Sequence, residues 1–89
     1  MTDEKIPAEI ILKYIERRKK DLVLCKIALK EKNFLKISEI GHQIKGNASS
    51  FGFKELEIIA IELEDSALHE NISKTIIALE LFAKTVDRL

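Results

Sequence analysis

Glu39 to Phe53, E-I-G-H-Q-I-K-G-N-A-S-S-F-G-F, reads as the second half of an amphipathic helix that stops at a glycine. At about 100° per residue, Phe34, Ile37, Ile40, Gly41, Ile44 and Ala48 fall within one broad arc, which Phe51 extends. A helix with one apolar arc buries it and leaves the other side to water. His42 points away from the centre of the arc, and Leu35, Ser38, Glu39, Lys45, Gly46 and Ser49 share its side. The histidine is therefore predicted to lie on the wet face of a half-buried helix.

Glycine inside an exposed helix costs about 1 kcal/mol relative to alanine. Gly46, one turn after His42, has no core-packing reason to be there, and a missing side chain at that point clears space beside the imidazole. Lys45 puts an ammonium near the ring, where it could meet a negative group carried by His42. Ser49 adds a small hydroxyl on the same stripe. Gly41 is on the core side, where it would let a neighbouring helix pack closely. Taken singly, His42 reads as an ordinary solvated histidine.

Before this helix, Glu31 to Asn33 form a short connection with Asn33 as N-cap, and the helix should run to about Ser50. Gly52 allows the left-handed backbone that ends a helix, so the next one is an antiparallel neighbour. Its core stripe is Phe53, Leu56, Ile59, Ala60, Leu63 and Ala67, with Ile58 and Ile61 off the stripe and Glu64 flanking it. His69 falls near the end of that helix, where a cationic ring suits the dipole. Asn71 or Ser73 caps a last helix with the stripe Ile72, Ile76, Leu79, Ala83 and Val86, widened by Ile77, Leu81 and Phe82. Towards the N-terminus, Met1 to Ile6 read as a loose arm, and Pro7 and Glu9 suit a first helical turn. Ile11, Ile15, Leu22, Cys25 and Leu29 form the first stripe, with Arg18 in the missing position. This predicts either one helix to about Lys32 or two joined near Arg17–Lys20. That basic run reads as a solvated face, with a docking role as the alternative. Cys25 reads as core.

The chain has 89 residues, 46% of them hydrophobic and 34% charged, and three glycines with one proline leave little room for hairpins. These features predict an all-α chain, an antiparallel four-helix bundle forming one domain over residues 1–89. Fifteen basic and fifteen acidic side chains cancel, so nothing favours nucleic acid or an acidic membrane surface as partner. One cysteine excludes an internal disulfide and agrees with a reducing compartment. No signal peptide or long apolar run is seen, and a cytoplasmic location is expected. The initial methionine and the length point to a free-standing protein. A monomer is expected, although the off-stripe Ile58 and Ile61 leave a dimer open.

The pattern H-x-x-K-G followed by a further glycine, as His42, Lys45, Gly46 and Gly52, resembles the signature of histidine phosphotransfer (HPt) domains. The likeness extends over most of the chain, because four amphipathic helices surround the motif in the expected order. It favours a short additional N-terminal helix leading into a longer one. It implies that His42 accepts and donates a phosphoryl group, with Lys45 stabilising its charge and Gly46, Ser49 and Gly52 in supporting places. In several members of the family a glutamine or glutamate on the next helix hydrogen-bonds the imidazole. Carried over, Glu64 would accept from Nδ1–H of His42 and leave Nε2 as the nucleophile. On the residues alone, Glu64 is equally a solvated flank residue. The implied partners are receiver domains of response regulators or hybrid sensor histidine kinases in a multistep phosphorelay.

No glycine-rich phosphate loop is present, so the expected role is that of a carrier without ATP-dependent kinase activity. The motif offers no carboxylate cage for Mg2+, and no cofactor or metal of its own is expected; the ion would come from the partner receiver domain. Docking should be apolar and centred beside the histidine, with Leu35, Ser38, Glu39 and Gln43 as partner-binding residues. The alternative is a non-phosphorylated helical adaptor that binds receiver domains or other regulators. A metal or cofactor bundle would need repeated inward-facing Glu-x-x-His pairs, and Glu39-x-x-His42 occurs once, on the wet face.

Overall fold

Four helices, α1 (Ala8–Lys30), α2 (Phe34–Asn47), α3 (Lys54–Leu68) and α4 (Ile72–Asp87), account for most of residues 6–89, the part described by the computed structural model. Of the arm expected over residues 1–6, all but Ile6 lies outside the described residues. Each helix packs on the next and α1 also packs on α4, which gives an antiparallel up-down-up-down bundle with no strand among the described residues.

The α1–α2 and α3–α4 turns are built alike. Lys32 and Glu70 take left-handed backbone, with φ of 56° and 53°. In each turn the next amide closes back onto the helix just ended: Asn33 N–H donates to the Ala28 carbonyl at 2.8 Å, and Asn71 N–H to the Ser66 carbonyl at 2.9 Å. The same two asparagines then cap the following helices, accepting from the amides of Lys36 and Lys74. Each such cap contributes about 1 kcal/mol. Between α2 and α3 the chain turns through a 3-10 segment, Ser49–Phe51, and Gly52 at φ 87°. The motif helix thus stops at Asn47, a little short of Ser50.

Ile37, Ile44, Leu56, Leu63 and Phe82 are wholly buried between the helices, and each apolar side chain so removed from water contributes about 1.5–3 kcal/mol. Cys25 joins them, and burial pushes its thiol up to about 12, which makes it inert packing.

Three expectations for the bundle are corrected. Of the two expected arrangements the single helix is the one found, with no additional short N-terminal helix among the described residues: α1 runs unbroken for 23 residues, because nothing in Arg17–Lys20 breaks a helix and Arg18 carries the buried register through the gap. Arg18 is accordingly not part of a solvated face but 5% exposed, paired with Asp21 and lying over the Tyr14 ring. On α4 the buried stripe is Thr75, Ala78, Leu79, Phe82, Thr85 and Val86, while Ile72, Ile76, Ile77 and Leu81 are exposed. Threonine is admitted because its hydroxyl is satisfied: that of Thr75 donates to the Asn71 carbonyl at 2.8 Å and lies 3.2 Å from the Ser66 hydroxyl.

Left-handed backbone costs a residue with a Cβ about 1–2 kcal/mol. Lys32→Gly and Glu70→Gly are therefore expected each to raise the unfolding free energy by about 0.5–1 kcal/mol after the added freedom of the unfolded chain is subtracted. Urea denaturation of the two variants checks this, and an unchanged or lower midpoint would show that the turns carry no such strain.

Candidate functional site

At Gly41 α3 passes close against α2. A Cβ there would lie 2.9 Å from the Glu64 amide nitrogen, closer than such carbons are found, and a tight 3.1 Å from the Ala60 carbonyl oxygen. Only glycine admits α3 at this distance, and the following residue, His42, is thereby brought beside Glu64. Alternate faces of one helix thus do two jobs, Gly41 seating the neighbour and His42 meeting its side chain.

The Glu64 carboxylate lies between two partners. Oε2 is 2.9 Å from His42 Nδ1 and Oε1 is 2.7 Å from Lys45 Nζ. The hydrogen bond from Lys45, with that from His42, holds the Glu64 carboxyl below the usual carboxylate range against the opposing effect of burial. An ionised carboxylate can only accept, so the proton in the His42 contact sits on Nδ1. The neutral ring then keeps its lone pair on Nε2. The imidazole is 68% exposed, whereas Glu64 is 17% exposed: an accessible ring is held from behind by a covered acid.

The other residues singled out in the sequence fall as follows. At Gly46 a Cβ would meet nothing within 4 Å, so the surface beside the ring is open. Ser49 begins the 3-10 turn and is exposed, and Gly52 ends it in left-handed backbone. Leu35 is 67% exposed on the His42 side of α2, and Glu39 and Gln43 are exposed as well. Ser38 is a correction: it is 5% exposed and so has almost no surface to offer a partner. It lies on the edge of α2 that α3 covers, and its hydroxyl donates to the Leu35 carbonyl at 2.8 Å. His69 caps the end of α3 with Nδ1 2.9 Å from the Asp65 carbonyl oxygen. Among the described residues no group of three or more His, Cys, Asp or Glu side chains is placed to hold a metal ion.

Sequence reasoning missed the polar cluster that joins α1 to the end of α2. The Tyr14 hydroxyl donates to Asn47 Oδ1 at 2.6 Å, Arg18 stands 4.4 Å over the Tyr14 ring, and that ring stacks on Phe51 and Phe53 at 4.2 and 5.6 Å. The one signal was Arg18 itself, a charge standing in an apolar register.

A family model, described as the Hpt domain, matches residues 9–89. No curated protein and no solved structure matches the chain.

Two outcomes follow from the α2–α3 contact. Gly41→Ala forces the backbones apart and should destabilise the fold by about 1–3 kcal/mol; in the same variant the His42 side-chain resonances should lose the signature of an Nδ1–H hydrogen bond. Unaltered His42 resonances would mean that the close approach does not position Glu64. The second outcome concerns acid. Because the folded-state pKa of Glu64 is depressed, its charge stabilises the fold above the ordinary carboxylate range, roughly pH 4.3, and this is lost as pH falls through the depressed value. Urea denaturation should show Glu64→Gln less stable than the parent at neutral pH, with the difference closing on acidification. A difference independent of pH would sink the assignment.

Proposed function

The chain belongs to the Hpt domain family, whose members serve histidine phosphotransfer in phosphorelays and interact with receiver domains, and from that premise we propose that His42 is the residue through which phosphate passes. The observation that carries this is the single carboxylate, Glu64, that holds both the Nδ1 side of an exposed imidazole and the Lys45 ammonium.

In the forward step the Nε2 lone pair of His42 attacks the phosphorus of an aspartyl phosphate on a receiver domain. The N–P bond forms as the acyl P–O bond breaks, and the aspartate leaves as a carboxylate. Glu64 keeps the proton on Nδ1, fixes the ring's aim and stabilises the positive charge that the ring acquires. Lys45 then exchanges Glu64 for the phosphoryl oxygens, a short swing for a flexible side chain. Attacking and leaving atoms must stand in line, and positioning and charge stabilisation are the main protein contributions to such transfer. The open surface at Gly46 lets the partner's aspartate come within bonding distance. Mg2+ belongs to the receiver domain. Transfer to a second receiver is the same step reversed. The receivers are those of response regulators or hybrid sensor histidine kinases, docking over Leu35 and Glu39. In this reading residues 1–89 are one working unit, a monomer in the cytoplasm.

Incubation with a panel of phosphorylated receiver domains should place acid-labile phosphate on the parent protein and none on His42→Gln. Binding without any label on the parent would favour the adaptor role instead. Lys45→Ala should slow transfer by about 10- to 100-fold with the fold intact. Leu35→Asp should weaken receiver binding without changing the helical content, and unchanged transfer kinetics in that variant would remove Leu35 from the docking surface.

A further inference from the structure

Between α1 and α2 lies an open groove of about 360 Å3 whose lining includes Tyr14, Arg17, Arg18, Asp21, Gln43 and Asn47. The lowest-lying charge in it is Arg18, 5% exposed. A guanidinium carries five N–H donors, and the protein's own side chains engage only part of this fork. Arg18 Nε is 2.8 Å from Asp21 Oδ2 but lacks the angle of a hydrogen bond to it. Nη1 reaches Asn47 Oδ1 at only 3.4 Å, and that oxygen already accepts the Tyr14 hydroxyl at 2.6 Å. Nη2 makes no side-chain hydrogen bond among the described residues. Nη2 is not among the atoms sealed from solvent, so its donors remain available to an acceptor that enters the groove.

The groove and the His42 face draw on the same stretch of α2. Gln43 follows the histidine and lines the groove, and Asn47 follows Gly46, where the surface is bare. A body large enough to lie over the imidazole therefore reaches the groove mouth. The exposed Arg17 adds a second cation at that mouth. Two cations against the one carboxylate of Asp21 leave an excess of one positive charge, which matches a monoanion better than a phosphate dianion. The planar fork of an arginine matches a carboxylate.

We propose that the groove is a second anchor for the phosphotransfer partner, taking the carboxylate of an aspartate or glutamate side chain on the receiver domain, with Arg18 at its floor and Arg17 at its rim. The anchor rests on the assignment of His42 as phosphate carrier. It fixes how the receiver sits across α1 and α2 and so selects among receivers by whether they present an acid at that distance from their phosphorylated aspartate. Arg17 and Arg18 are positioning residues in this scheme; neither touches the phosphoryl group.

The test uses the full chain and the receiver domain that phosphorylates it fastest, with Arg17→Glu, which is exposed and should fold, and Arg17→Lys, which keeps the charge. Reversal is expected to weaken receiver binding by about ten-fold and to flatten its dependence on salt, with the transfer rate at saturating receiver unchanged; Arg17→Lys should restore most of the affinity. Titrating the isotope-labelled parent with the same receiver should shift the Arg18 Nε–Hε resonance. Parent-like affinity in Arg17→Glu, or an unmoved Arg18 resonance, overturns the anchor and leaves phosphotransfer standing. Absence of label from every receiver overturns phosphotransfer itself, and the anchor with it.

Discussion

At Gly41 the backbones of α2 and α3 approach so nearly that a methyl group would sit 2.9 Å from the Glu64 amide nitrogen. Much follows from this one absent side chain. The approach brings a covered carboxylate to the back of an exposed imidazole, and a neutral imidazole that donates from Nδ1 keeps its lone pair on the other, outward nitrogen. A glycine that looks like a packing detail is thus also the device that positions the chemistry. Gly46, one turn or so further on, works by the opposite means: nothing stands within 4 Å, so a partner can come close.

Glu64 serves two cations with its two oxygens, and this shapes what Lys45 can do. In the resting protein the ammonium is held at 2.7 Å by the carboxylate. It is therefore stored beside the histidine without crowding the nucleophilic nitrogen. In the proposed transfer a phosphoryl group on the ring would bring more negative charge than Glu64 offers, and charge alone would drive the exchange of partners. The site needs no rearrangement of helices for this, only a side-chain rotation on a rigid scaffold.

The far end of α2 is held by different physics. Tyr14, Phe51 and Phe53 stack, and Arg18 and Asn47 complete a polar contact between helices distant in sequence. A buried charge there contributes little to stability compared with packed hydrocarbon. It acts instead in orientation, since it ties α1 to the end of the histidine helix, and in the proposed docking it would present a cation to the partner.

Local rules, written in the order of residues, determined the helices and their ends: the apolar arcs, the asparagine caps at Asn33 and Asn71, the glycine stop at Gly52, and the exposure of His42 with Lys45 and Gly46 near it. These features depend on neighbours within about one turn, and periodicity reports them directly. The unbroken α1 was half-visible, because Arg18 in an apolar register can mean either a break or a buried cation, and only its partners Tyr14, Asp21 and Asn47 decide which. On α4, hydrophobicity alone pointed to Ile72 and Ile76, yet Thr75 is the buried residue, because Asn71 and Ser66 satisfy its hydroxyl. Ser38 stood on the same side as His42 but is buried in the bundle. The bond from His42 to Glu64 spans 22 residues. Its existence depends on the distance between two helix axes, which is set by the packing of Gly41 against Ala60 and Glu64 and is not written in either helix separately.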